Sequence, residues 1–179
     1  MSAGYYVDVL ARAEADGPAL ATSTTKTSLL PATAKYTTPA SGFWYVGKVL
    51  RVTAKGRVST FTSGTLTLAF GVGSVDAFAS QALTMVASQT NQTWQLELEL
   101  TCRAVGAGGS ATANLMGTGF LTAGAAISAA ITNLPATAPA VGTSFDPGAA
   151  STLDLLATWS VSNASNSIQL HQYVLEALN

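Results

Sequence analysis

Charge is what this chain has least of. Only 9% of its 179 residues are Asp, Glu, Lys or Arg, against about 25% in an ordinary soluble domain. The net charge is -1 and the pI about 5.7, so there is no basic field to hold a nucleic-acid backbone. A single cysteine, Cys102, cannot close a disulfide within the chain, so the fold does not rest on an oxidising compartment. One histidine, His171, together with that one cysteine leaves no nitrogen- and sulfur-rich metal site. The nine acids form no Asp-x-Asp-x-Asp-Gly loop, so neither a metal nor another cofactor is expected. No run is long and apolar enough to cross a membrane as a helix, and no repeat of fixed period points to a propeller or solenoid.

What is present is small and uncharged: 41 Ser and Thr, 16 Gly and many Ala stand where surface charge would be. With 48% hydrophobic residues the chain is not a disordered polyampholyte, and its length suits one domain with a real core. Outward Thr, Ser, Ala and Gln are easier to desolvate than charges. Such a surface suits a subunit packed against others better than a freely diffusing enzyme. The opening residues carry no basic stretch followed by an apolar core, the mark of an export signal, so synthesis and folding in a cytoplasm is the expectation. The sequons at Asn91 and Asn163 are read as chance matches.

The dominant pattern has period two. From Trp94 to Ala104 every even position is apolar and every odd one polar. That puts Trp94, Leu96, Leu98, Leu100 and Cys102 on one buried face of a strand, with Glu97, Glu99 and Arg103 on the other. Residues 46–58 behave similarly: Val46, Leu50, Val52, Ala54 and Val58 oppose Arg51, Thr53, Lys55 and Arg57, while Lys48 breaks the pattern. Further runs of strand type span 65–72, 77–86, 111–121, 153–161 and 168–178, and a shorter one 19–30. Gly- and Asn-rich turns separate them. About eight strands without a strong helical stretch predict an all-β antiparallel sandwich, jelly-roll-like in its long crossing connection at residues 123–145, which reads as a loop with one short strand.

The domain so predicted covers residues 19–179, preceded by an N-terminal segment, 1–18. There Tyr5, Tyr6, Val9, Leu10 and Ala13 fall at helical spacing before Asp16-Gly17-Pro18. This reads as a short amphipathic helix or an extended arm that needs something to dock on.

Chemistry-bearing residues are few. By parity His171 lies opposite Ile168 and Leu170 and faces outward or into an interface, and no Gly-x-Ser-x-Gly elbow accompanies it. Glu97 and Glu99 project from one face, as the paired carboxylates of a glycosidase would. The favoured reading makes them a polar strand face available to cross-strand Arg51, Lys55 and Arg57. Trp94 and Trp159 share parity with Leu residues and belong to the core. Phe43-Trp44-Tyr45 is the candidate exposed or interfacial aromatic cluster. Seven of the seventeen charges (Lys48, Arg51, Lys55, Arg57, Glu97, Glu99 and Arg103) sit on two strand segments.

In the phrasing of its strands the chain resembles the small all-β structural proteins of tailed-bacteriophage virions, those of actinobacteriophages in particular. The residues carrying the likeness are 43–52 (Phe-Trp-Tyr-Val-Gly-Lys-Val-Leu-Arg-Val), Gly64-Thr65-Leu66-Thr67-Leu68, residues 94–101, and residues 153–160 with Asn166-Ser167-Ile168. The resemblance implies a non-enzymatic jelly-roll-like protein, often a homotrimer, that decorates a capsid or belongs to a tail tip or fibre, and it brings no catalytic residues. The expected partners are further copies of the chain and the major capsid protein or other virion proteins, with neither nucleic acid nor membrane. Tyr5, Tyr6, Val9, Leu10, Phe43, Trp44 and Tyr45 are the candidate assembly contacts. The alternative is a tail-fibre or baseplate module that recognises a host-surface glycan through Trp44 or Tyr45. A wall-degrading enzyme would rest on Glu97 and Glu99 alone.

Overall fold

The computed structural model describes residues 6–178, which are almost all β. One sheet is built on three long strands, β5 (Val49–Thr60), β9 (Gln89–Ala104) and β13 (Ser167–Leu178), with β5 in the middle. Outside β13 lie β1 (Val7–Arg12) and the two-residue β2 (Leu20–Ala21); outside β9 lie β10 (Asn114–Thr122) and β11 (Thr132–Leu134). The second sheet centres on β6 (Gly64–Val72) and β12 (Thr152–Trp159). Beside β12 are β3 (Thr27–Ser28) and β4 (Tyr36–Thr37); beside β6 are β7 (Val75–Ala79) and β8 (Leu83–Met85). Every pairing of strands is antiparallel. The two sheets pack face to face, so the molecule is an all-β sandwich.

Alternation decides what goes inside. Trp94, Leu96, Leu98, Leu100 and Cys102 of β9 are buried while Glu97 and Glu99 are exposed. Leu50, Val52, Ala54 and Val58 of β5 meet them from the neighbouring strand, and Leu153, Leu155, Ala157 and Trp159 of β12 close the core from the other sheet. Burying each such leucine contributes roughly 1.5–3 kcal/mol. In β13 the inward parity changes partway: Ile168 and Leu170 point in, and then Tyr173, Leu175 and Ala177. The cause is a bulge between Leu170 and Gln172, where His171 has no partner on β5.

The eight expected strands are present, with two of them divided. Residues 19–30 give β2 and β3, which join opposite sheets, and residues 77–86 give parts of β7 and β8, both on β6. Two- and three-residue strands are too short to print a period. Residues 123–145 do contain one short strand, β11. The chain after it closes the side of the sandwich: the Gly142 N–H donates to the Leu115 carbonyl at 2.8 Å. A Cβ on Gly142 would lie 1.9 Å from the Ala77 carbonyl oxygen, so only glycine passes there.

The helical alternative for residues 5–15 is overturned, because Val7–Arg12 is a strand on β13. One short helix would bear a nucleation cost with little to offset it, whereas the edge of β13 offers backbone partners at once. A bulge between Val9 and Ala11 reconciles the spacing: Val7 and Val9 stay outside while Leu10, Ala11 and Ala13 pack on the core. Beyond β1 the Ala13 N–H donates to the Tyr173 carbonyl at 3.0 Å and the Gly17 N–H to that of Leu170 at 2.9 Å. Tyr5 lies outside the described residues.

Candidate functional site

Phe43 and Trp44, expected on the surface, are only 8% and 6% exposed, while Tyr45 is 45% exposed. The Phe43 ring lies 5.7 Å from Tyr36 and meets Trp44 edge-on at 4.9 Å, and Trp44 lies 4.9 Å from Phe145. This aromatic row closes one end of the sandwich, which is why the local sequence could not place it: Phe145 is about a hundred residues away.

Lys48, the position that broke the alternation, serves this end. A turn through Gly47, whose φ is 92°, brings the Lys48 N–H to the Tyr45 carbonyl at 3.1 Å. The side chain is buried, with its ammonium 4.4 Å from the centre of the Phe43 ring and 5.1 Å from that of Tyr45. Burial lowers the Lys48 pKa, and the negative charge of Asp8 on β1 partly offsets this. A lysine that deprotonates more easily folded than unfolded makes the fold gain stability as pH rises from its folded pKa towards the ordinary value near 10.5. Burial raises the pKa values of Cys102 and Tyr173, which has the opposite sign: each loses stability for the fold once pH passes its ordinary value. The expected signature of Lys48 is therefore a difference between two proteins. Lys48→Met should lie within about 1 kcal/mol of wild type at pH 7 and lose ground to it as pH rises towards 10.5, as read by urea unfolding at each pH.

The other concentration of chemistry is the outer face of the sheet that contains β5. Arg51 stands directly between Glu99 of β9 and Glu176 of β13 in the strand register. Its Nη2 is 3.1 Å and its Nε 3.4 Å from Glu99 Oε1, and its Nη1 is 3.9 Å from Glu176 Oε2. The expected pairing of β5 cations with β9 carboxylates thus holds for Arg51. It fails for the other two: Lys55 faces Gln95 and Gln172, and Arg57 Nη2 donates to Gln169 Oε1 at 2.9 Å. Glu97 faces Thr53 and Phe120, and among the described residues its side chain has neither an ion pair nor a hydrogen bond. Arg51, Thr53, Glu97, Glu99, Thr118, Phe120 and Glu176 line a concavity of about 500 Å³.

Sequence reasoning passed over Glu176, Thr118 and Phe120. Phe120 left a usable trace, because it falls on the opposite parity from Leu115 and Leu121 and so had to face outward. The register that puts Glu176 beside Arg51 depends on strand order and left none. His171 sits at the bulge with its Nδ1 2.8 Å from Asp16 Oδ1, which ties the segment after β1 back to β13.

No family model, curated protein or solved structure matches the chain. Among the described residues, no helix is long and apolar enough to cross a membrane, and no group of three or more His, Cys, Asp or Glu is placed to hold a metal ion.

Proposed function

We propose that this chain is a non-enzymatic structural subunit of a tailed-bacteriophage virion, bound as an oligomer, a homotrimer, to the outside of the capsid. The observation that carries the proposal is where the exposed apolar side chains lie. Among the described residues, five of the ten large hydrophobics left exposed belong to β1 with its leading residue or to the turn before β5: Tyr6, Val7, Val9, Tyr45 and Val46. Val7, Leu178 and Val49 form one row across β1, β13 and β5, and the charge of Asp8 acts on Lys48, which underlies Tyr45. The two groups therefore share one end of the molecule. A patch of this kind on a chain otherwise poor in charge marks a surface that another protein covers.

Of the candidate assembly contacts, Tyr6, Val9 and Tyr45 are in position to contribute, while Leu10, Phe43 and Trp44 are spent on the core. The N-terminal segment then acts less as a free arm than as an edge strand whose outward side chains dock. Strand order also supports a jelly-roll reading. One sheet runs β1/β2, β13, β5, β9 and the other β3/β4, β12, β6, β7/β8; the chain crosses between them at each step except from β6 to β7 and β8, with β10 and β11 added outside β9. Jelly rolls recur in viral shells and in lectins, so architecture by itself does not choose a function.

The test is incorporation. Val9→Asp combined with Val46→Asp changes two exposed positions, so the melting temperature should stay within about 2 °C of wild type. The share of protein sedimenting with particles should fall at least tenfold. Undiminished association, or a wild-type protein that stays monomeric and never joins a particle, overturns the reading.

A further inference from the structure

We infer that the concavity around Phe120 is a saccharide-binding site for neutral sugars. The inference does not rest on the capsid reading, because Phe120 and Glu97 lie on β10 and β9, away from the β1 edge of the same sheet face, and binding can be tested on the purified protein. At about 500 Å³ the cavity falls within the range of small-ligand sites, about 300–1,000 Å³. Its floor is formed by four adjacent strands, β13, β5, β9 and β10.

Three features fix the ligand class. Phe120 keeps 37% of its surface exposed on an outward parity, and that part offers an apolar face to the C–H side of a pyranose. Arg51 is held in place by Glu99 and Glu176, and it keeps N–H donors beside carboxylate acceptors. A hydroxyl both donates and accepts, so vicinal hydroxyls match a surface on which donors and acceptors alternate. Glu97, directly opposite Phe120 in the register, is an acceptor not engaged within the described chain, and Thr53 and Thr118 flank it with hydroxyls.

Charge then narrows the class. Three carboxylates against one guanidinium leave the site at -2, which repels sialic and uronic acids and leaves uncharged hexoses as the fit. The groove has room for more than one sugar unit. A second hollow of about 330 Å³, between β10 and residues 133–139, shares Thr118 and Gly119 with the first and adds the apolar walls of Pro135 and Pro139.

The experiment is a printed array of neutral, amino-bearing and acidic oligosaccharides probed with the purified wild-type chain, followed by titration calorimetry with the strongest neutral hit. Binding to neutral sugars is expected. Phe120→Ala and Glu97→Gln should each weaken it at least tenfold, and Lys55→Ala, on the same face but outside the cavity, should not. Both affected positions are exposed, and circular dichroism should show unchanged folds. Absence of any neutral ligand, or binding indifferent to Phe120→Ala and Glu97→Gln, overturns the inference. So does binding confined to amine-bearing probes and abolished by salt, which would make this a cation site. All three variants should join particles as wild type does, so failure here and failure of the capsid reading are separate results.

Discussion

Gly56→Ala is expected to lower the melting temperature by about 6–12 °C, the equivalent of roughly 3 kcal/mol in a chain of this size, and Gly56→Val to leave little folded protein. Gly56 lies in the middle of β5, paired with Trp94 on one side and Leu170 on the other. The Trp94 indole lies across it, its N–H donating to the carbonyls of Arg57 and Gln169 at 3.2 Å each. A Cβ at this position would stand 1.9 Å from the Gln169 carbonyl oxygen and 2.9 Å from the indole nitrogen. The first of those contacts is backbone, so no side-chain rotation relieves it. The central strand would have to part from β13 next to the His171 bulge, where the ladder is already interrupted. Gly64→Ala is the matched control. Its Cβ would meet only side-chain atoms of Ser160 and Val161, none closer than 3.3 Å, and its melting temperature should fall by less than a third as much. Thermal unfolding followed by circular dichroism decides between the two, and equal shifts would show that the packing of Trp94 over Gly56 does not matter.

The same cluster shows what could be read in advance. Trp94 could be assigned to the core because it opens an unbroken alternation of eleven residues, and period two is the geometry of a strand with one buried face. That reasoning held along β5, β9 and β12. It reached Leu50, Val52, Leu153, Leu155 and Trp159, and it placed Arg51 and Glu99 on solvent-facing sides that prove to be adjacent. It broke down where position depends on a neighbour remote in sequence. Trp44 is buried because Phe145 covers it, and the strand run that holds Glu176 meets Arg51 because β13 lies on the far side of β5. Bulges misled it most. Tyr6, Val9, Leu10 and Ala13 mimic a helical spacing only because the strand changes face between Val9 and Ala11. Of the candidate site, Arg51, Glu97 and Glu99 were legible. Phe120 was legible only as an outward aromatic, and the cavity it borders is a product of strand order.

Trp159→Ala is expected to remove about 3–5 kcal/mol, a large share of the roughly 5–15 kcal/mol that holds a domain together. Trp159 ends β12 in one sheet, 1% exposed, opposite Leu66. Its indole N–H donates to the Leu20 carbonyl at 3.3 Å, and Leu20 pairs with Ile168 in the other sheet. The side chain therefore fills the core and also fastens the sheets together near the turn that leads into β13. Trp159→Phe separates the two roles. It keeps most of the apolar volume, gives up the donor and leaves the Leu20 carbonyl without it, at a cost of about 1–2 kcal/mol. If packing dominates, the Phe variant retains more than half of the stability lost in the Ala variant. If both variants unfold at the same denaturant concentration, the hydrogen bond to β2 is what matters. Trp159 belongs to the sheet opposite the Phe120 cavity, so the folded fraction of either variant should bind neutral sugars as wild type does. A loss of binding in step with the loss of stability would mean that the cavity floor depends on how firmly the second sheet is fastened beneath it.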